Sequence, residues 1–393
     1  MRILHTSDWH LGRTMGQESL IEDQAAILDQ IHQAMIESGA QAIIIAGDIF
    51  DRAVPARDAV DLFDRFLTRI YRETSAAIIA IAGNHDAPER LGFGGALQDP
   101  TRVLIRGPLT GRAEPLVLED EHGPVAFSAL PFCEVYAARH HYGAAHIACP
   151  ADVLAMQISE ARRRLPEGAR WIVAAHAFVQ GASATQSERS LDFVGGVETC
   201  PPDLFSDCAY VALGHLHRAQ TAGADHIRYS GSPMAFGFDE AGASKSVSIV
   251  DIGPGGMVGA APWPLTAPRP VRVLEGRLED LVALGAGGGR RDFVKAVLTD
   301  EGELVDPMGR LRTVYPFALQ IERAGVRRGE AEAAAAAGPR PSQRAPLQIL
   351  EAFLQDLRGK GLSEQETRLA GQLLGRAHEP SAVQAPYPRD GER

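Results

Sequence analysis

The spacing of apolar and polar positions changes several times along the chain, and each change marks out an element. Short apolar runs occur at Arg2–His5, Ala42–Ala46, Ile78–Ala82, Val125–Leu130, Trp171–Ala175, Tyr210–Leu213, Ile227–Tyr229 and Val247–Asp251. Runs of this length predict strands, and the continuous ones predict strands buried on both faces. Between the first three, the spacing becomes helical. From about Gln17 to Ser38, residues Leu20, Ile27, Leu28, Ile31 and Met35 fall on one stripe, which stops at Gly39. A second pattern opens at Pro55, suited to a first helical turn, and carries Ala59, Leu62, Phe63, Phe66, Leu67 and Ile70. Strand, helix, strand, helix, strand predicts an α/β domain of layered sheet and helix over residues 1–262.

A proline-rich stretch, Pro262 to Pro270, breaks the pattern and reads as a linker. A smaller unit follows over 271–325, with strands expected at Val271–Leu274, Phe293–Leu298 and Ala318–Glu322. Residues 330–346 include Ala333–Ala337, five alanines in a row, and read as a flexible tether. Over 347–376 a helix pair is expected. Leu347, Leu350, Phe353, Leu354 and Leu357 mark the first helix; Ser363 and Glu366 form a capping box for the second. The tail, 378–393, reads as disordered, and no internal repeat occurs.

Composition narrows the class. At about 150 residues per domain, 393 residues suggest two to three domains and a core that needs no disulfide staple. A content of 45% hydrophobic and 23% charged residues excludes wholesale disorder. No apolar run is long enough for a membrane span, and no basic start, apolar stretch and cleavage site mark a signal peptide. Four cysteines (Cys133, Cys149, Cys200, Cys208), with no C-x-x-C pair, suit a reducing compartment, so a cytoplasmic location is expected. The net charge of -11 is uneven: residues 1–268 carry 20 Lys and Arg against 32 Asp and Glu, and the remainder 19 against 18. An acidic first part makes a poor electrostatic binder of nucleic acid by itself, yet suits a set of metal-ligating carboxylates.

Five motifs each follow an apolar strand: Asp8-Trp9-His10, Gly47-Asp48-Ile49-Phe50-Asp51-Arg52, Gly83-Asn84-His85-Asp86, His176, and Gly214-His215-Leu216-His217. Strand ends are where α/β folds gather site residues, and the glycines allow sharp turns and close approach. Singly, these motifs are ordinary surface or core pairs; together they form a set. Asp8, His10, Asp48, Asn84, His176, His215 and His217 offer carboxylate, amide and imidazole donors without sulfur. Such a set points to Mn, Fe or catalytic Zn, and seven ligands are too many for one ion. Two ions about 3.5–4 Å apart suit phosphoester hydrolysis, because they bind phosphate oxygens and lower the pKa of a bridging water. His85, beside Asn84 but outside the ligand set, is placed to protonate the leaving oxygen; the other reading is a histidine that only holds Asn84. Asp51 could hydrogen-bond His85 and keep it oriented. Arg52 could contact phosphate or simply be solvated.

The set D-x-H, G-D-x-x-D, G-N-H-D, H and G-H-x-H resembles that of the calcineurin-like metallophosphoesterase superfamily. Over nearly its whole length the chain resembles, more narrowly, the SbcD family of nuclease subunits. That resemblance rests on Arg2–Gly12, Ala46–Arg52, Leu213–Gln220, Tyr229–Pro233, Phe238-Asp239-Glu240 and Lys245-Ser246-Val247. The last three segments lie outside the metal-ligand set and so separate this family from phosphatases that share only the ligands. The implied fold is a metallophosphoesterase β-sandwich flanked by helices, with a small α+β capping domain and a C-terminal helix pair. The resemblance implies that Asp8, His10, Asp48 and His217 hold one metal and that Asp48, Asn84, His176 and His215 hold the other. Asp48 would bridge them, and His85 would be the proton donor. It further implies Mn-dependent cleavage of DNA, as a 3′→5′ exonuclease on duplex ends and an endonuclease on single strands and hairpins. The expected partner is an SbcC-type ATPase, with 347–376 gripping its coiled coil and 271–325 capping DNA. A homodimer through the 17–38 and 55–73 helices is also implied. No G-x-x-x-x-G-K-[S/T] loop occurs, so ATP dependence would reside in the partner.

Two rivals remain at this level. A metallophosphoesterase acting on small nucleotides or phosphoproteins shares every ligand and differs only in needing no tethered helix pair. A catalytically silent scaffold for the ATPase would have no use for the full ligand set.

Overall fold

The computed structural model describes residues 1–324 apart from 111–113, 186–187, 189–198 and 287–290, together with 354, 362–363 and 365–370. Two units emerge, Met1–Glu322 and Arg323–Arg393.

Among the described residues the first unit is built on two six-stranded sheets. In the first sheet, Arg2–Thr6, Ala42–Ile45, Ala77–Ile81 and Val103–Arg106 run parallel in that order. An antiparallel hairpin, Lys245–Gly253 and Gly256–Leu265, completes it beside Arg2–Thr6. In the second sheet, Gly123–Leu130, Arg170–His176, Tyr210–Gly214 and Ala224–Tyr229 are parallel, with Leu116–Asp120 and Gln220–Ala222 antiparallel at the edges. Ile3, Ile44, Ile79 and Ile81 from the first sheet pack with Phe127, Ile172, Ala174 and Tyr210 from the second in one buried cluster. Helices cover the outer faces, as parallel strands buried on both sides require.

The two helices on the first sheet follow the predicted stripes closely. Ile21–Ser38 ends where Gly39 takes a left-handed φ of 66°, its N–H bonding Ile36 O while Ala40 N bonds Met35 O. The second helix is Arg57–Glu73, so Pro55 precedes the first turn rather than opening it. Ile27, Leu28, Ile31 and Met35 are buried in one cluster with Leu62, Phe63, Phe66 and Ile70 against the sheet. The stripes expected to form a homodimer are therefore occupied within the chain.

The proline-rich stretch is not a linker from Pro262. Pro262 and Pro264 lie in the strand Gly256–Leu265, opposite Ser248 and Ser246. That strand is the sheet's edge, where a missing N–H leaves no ladder bond unmade. The connection is shorter, 266–270, and Arg269 locks it. Its buried guanidinium pairs with Asp23 and lies over the rings of Phe293 and Phe317. A three-stranded sheet follows, Val271–Gly276, Phe293–Leu298 and Ala318–Arg323, with helices Leu278–Gly285 and Pro307–Arg312. Leu274, Leu278, Leu281, Val294, Leu311 and Tyr315 form its own core, giving a small α+β unit.

The tether 330–346 and the tail 378–393 lie outside the described residues, as does most of the helix pair 347–376. Within that pair residues 365–370 are helical, and Ser363 and Glu366 form the expected reciprocal cap.

Candidate metal centre

All parallel strands of both sheets deliver their carboxyl ends to one rim, where α/β folds place their sites. Asp8 follows Arg2–Thr6; Asp48 follows Ala42–Ile45; Asn84 follows Ala77–Ile81; His176 closes its strand; and His215 and His217 follow Tyr210–Gly214. The turns are sharp enough to require unusual backbone. Asp8, His10, Asp48 and His215 have φ of 55°, 45°, 48° and 107°, values that cost a non-glycine residue about 1–3 kcal/mol each. Two glycines are explained by close approach. A Cβ on Gly83 would strike the Asp48 carboxylate and backbone, and one on Gly47, itself at φ 90°, would strike the His176 ring.

These turns bring all seven predicted ligands together. His10 Nε2 lies 3.2 Å from His217 Nε2. His176 Nε2 lies 2.9 Å from Asn84 Oδ1, which is 3.3 Å from His215 Nδ1. Asp48 Oδ2 stands between the two groups, 3.8 Å from His10 Nε2 and 3.5 Å from His176 Nε2. Asp8, His10 and His217 bring one donor atom each within 4.8 Å of one another, as do Asp8, Asp48 and His176. Around them the backbone fixes the ligands: His215 N donates to Asp8 Oδ1 at 2.9 Å, and His85 N to Asp48 Oδ1 at 2.9 Å. His176 Nδ1 donates to Ala46 O at 2.9 Å, which turns Nε2 toward Asn84 and Asp48.

Electrostatics test whether this donor set fits metal cations. Burial pushes Asp8 up to about 6 against the pull of His176 and His217. Burial also opposes charge on Asp48, yet His176, His10 and His85 hold it well below the usual carboxylate range. Burial lowers His10 and takes His215 to about 3, keeping both rings neutral and able to coordinate. His176 is the exception: burial acts against its charge, but Asp48 and Asp8 raise it to about 9. A second proton on His176 does at Nε2 what a divalent cation would do, neutralising buried carboxylate. His10 Nδ1, buried without a hydrogen-bond partner, lies on the Asp51 side at 3.7 Å, which leaves Nε2 for the cation-seeking pocket. Oxygen and nitrogen donors of this kind suit divalent ions such as Mn.

The surroundings correct the sequence reading at four points. His85 Nδ1 donates to the main-chain carbonyl of Asp51 at 2.9 Å, so Asp51 holds His85 through its backbone and not through its carboxylate. That carboxylate faces Arg13 at 3.3 Å and His10 Nδ1 at 3.7 Å. Asp86, given no role from sequence, is buried and accepts N–H bonds from Ile49, Phe50 and Gly83 at 3.1, 2.8 and 2.9 Å, tying the Asp48 turn to the Asn84 turn. Glu240 and Lys245, placed outside the metal chemistry, stand directly behind His217. Glu188 was also missed; its Oε1 accepts His217 N at 2.7 Å. No spacing signal marks it. His85 Nε2 lies 4.0 Å from Asp48 Oδ2 and faces a cleft of about 610 Å³ lined by Arg13, Thr14, Asp51, Arg52 and Asn84. The Arg52 side chain is 75% exposed there, its Nε 3.6 Å from Asp51.

Comparison with known proteins agrees with this geometry. Residues 1–219 match the family model of the calcineurin-like phosphoesterases. Residues 267–357 match that of the SbcD C-terminal domain, described as the type 5 capsule protein repressor C-terminal domain. Among solved structures, the chain is similar to GAP50, the anchor in the inner membrane complex of Plasmodium. The identity is 12%, the TM-score 0.36, and the match covers 68% of this chain and 89% of that one. A likeness of that degree carries no argument about function. No helix among the described residues is long and apolar enough to cross a membrane.

Proposed function

The chain belongs to the calcineurin-like phosphoesterase family and carries an SbcD-type C-terminal domain, and from that premise we propose that it is the DNA-cleaving subunit of a complex with an SbcC-type ATPase. As a member of that family it is a metal-dependent phosphoesterase, a hydrolase. The observation that supports the finer reading is a rim that gathers seven candidate donors, with Asp48 Oδ2 3.8 Å from His10 Nε2 and 3.5 Å from His176 Nε2, in a chain that also carries this C-terminal domain. We assign Asp8, His10, Asp48 and His217 to one ion and Asp48, Asn84, His176 and His215 to the other, with manganese as the metal. When bound, the two ions supply charge for the phosphate oxygens and a water of lowered pKa.

The chain's own residues do the rest. His85, with Nδ1 fixed by Asp51 O, presents Nε2 to the open cleft and hands a proton to the leaving oxygen. Arg52 and Arg13 line that cleft and supply the positive charge that the acidic first 268 residues otherwise lack. The expected activities are 3′→5′ exonuclease on duplex DNA and endonuclease on single strands and hairpins, in the cytoplasm and in DNA repair, replication and recombination. For the homodimer, apolar side chains outside the buried stripes are available: Val54, Val60, Phe93 and Leu97 are exposed, the last two by about nine-tenths. Phe93→Ser with Leu97→Ser would shift the sedimentation coefficient to that of a monomer.

The test is degradation of an end-labelled linear duplex by the purified protein with manganese, alone and with the SbcC-type ATPase and ATP. Bis-p-nitrophenyl phosphate reports whether the metal centre is competent. Duplex cleavage that rises with partner and ATP is the expected result. Turnover of the small ester with DNA untouched under every condition would replace this reading with a phosphoesterase of small nucleotides or phosphoproteins.

A further inference from the structure

His217 is the candidate ligand whose far side is most elaborately held. Its Nε2 lies beside His10 Nε2, and its Nδ1 faces Glu240 Oε1 at 3.5 Å. Glu240 comes from a single turn, Phe238–Glu240, and its side chain is only 3% exposed. Lys245, on the following strand, pairs with Glu240 and also donates to His217 O at 2.9 Å and Ser232 Oγ at 2.8 Å. Glu240 Oε1 accepts Phe236 N at 3.1 Å, and the Phe236 ring packs edge-on against both His10 and His217. A buried carboxylate opposes folding unless something needs it. An apolar turn would close this loop at lower cost, so the carboxylate calls for a partner that benefits from its charge.

We propose that Glu240 is a positioning residue for the metal centre, holding His217 with Nδ1 protonated and Nε2 presented beside His10, while Lys245 anchors the carboxylate. The proposal rests on the two-metal reading above and deepens it. A carboxylate behind a coordinating imidazole fixes ring and tautomer and makes the ligand more basic; removing such a partner weakens metal affinity by about 10–100-fold. Lys245 reaches both Glu240 and the His217 carbonyl, so the imidazole is held from its ring and from its backbone at once.

The experiment titrates manganese into the full-length chain by electron paramagnetic resonance, for wild type, Glu240→Gln and the double variant Glu240→Gln/Lys245→Met. The double variant leaves no unpaired buried lysine and so keeps the test available if the single variant folds poorly. Hydrolysis of bis-p-nitrophenyl phosphate is followed against manganese concentration in parallel. The expected result is two ions in wild type and, in the variants, one ion bound about 10–100-fold more weakly with the other within about twofold. The rate is expected to recover at high manganese, as a misfolded chain's would not. Variants that bind both ions as wild type does, whatever their melting temperature, overturn the positioning role and leave only a turn-closing one. A wild type that binds fewer than two ions overturns the two-metal reading itself. DNA cleavage enters neither result, so failure of the nuclease reading is seen separately.

Discussion

Asp86→Asn probes the clamp that sets the distance between the two loops bearing Asp48, Asn84 and His85. Asp86 Oδ2 receives N–H bonds from Ile49 and Gly83, and Oδ1 receives one from Phe50. An asparagine of the same shape keeps one oxygen, best turned toward the pair, and sets its amide NH₂ against the Phe50 N–H. One buried backbone donor and one buried side-chain donor are then unpaired, each costing about 1–3 kcal/mol. Part of this is returned, because burial and the charge of Asp48 already push the Asp86 carboxyl up to about 6. The net expectation is a loss of about 2 kcal/mol of stability. Activity is expected to fall further than stability does, since a misplacement of about 1 Å at reacting groups costs about 10²-fold in rate. The assay pairs urea unfolding with manganese-dependent hydrolysis of bis-p-nitrophenyl phosphate, below the unfolding range. Wild-type rate together with wild-type stability would refute the clamp; lost stability with full rate would show that the loops are positioned by other contacts.

Other outcomes follow from the same geometry. His85→Asn should lower hydrolysis by about 10²–10⁴-fold with manganese binding retained, while Asp51→Asn, which keeps the carbonyl that holds His85, should fall far less. Equal losses would mean the Asp51 carboxylate acts directly. Gly83→Ala drives a methyl into Asp48, so manganese binding measured calorimetrically should collapse although the φ at position 83 is ordinary; unchanged binding would refute the close-packing argument. His5 is buried, its Nε2 donating to Leu213 O and its Nδ1 accepting from Tyr210, and burial lowers it to about 3. The unfolded histidine takes a proton near its ordinary 6.5 and the folded one does not, so this residue's contribution is intact above about 6.5 and lost as pH falls toward 3. Relative to wild type, His5→Gln should therefore flatten the slope of stability with pH by up to about 1.4 kcal/mol per unit between pH 6.5 and 4. Parallel slopes would show that the ring is already protonated in the fold.

What the sequence determined by itself is the central strands, the two helices between the first three of them, and the inventory of candidate donors. Continuous apolar runs named most strands of both sheets, and a 3.6-residue stripe ending at Gly39 named a helix to the residue at its carboxyl end. That the seven candidate donors would meet was legible because each follows a strand, and parallel strands carry their ends to a common rim. Strands on the sheet edges were less legible. Gly256–Leu265 carries prolines that sequence alone reads as a break, and only its edge position makes them harmless. Tertiary structure alone decided the roles that depend on which atom faces which. His85 leans on a carbonyl of Asp51 because the Asp48 turn brings that backbone within 2.9 Å, and a carbonyl leaves no mark in residue type. Asp86 holds the backbone of Ile49 and Phe50, 37 and 36 residues away in sequence, and Glu240 reaches a histidine whose place is set by another strand. The dimer stripes were ambiguous for the same reason. A helical apolar face is equally satisfied by its own sheet or by a second chain, and periodicity is blind to which surface covers it.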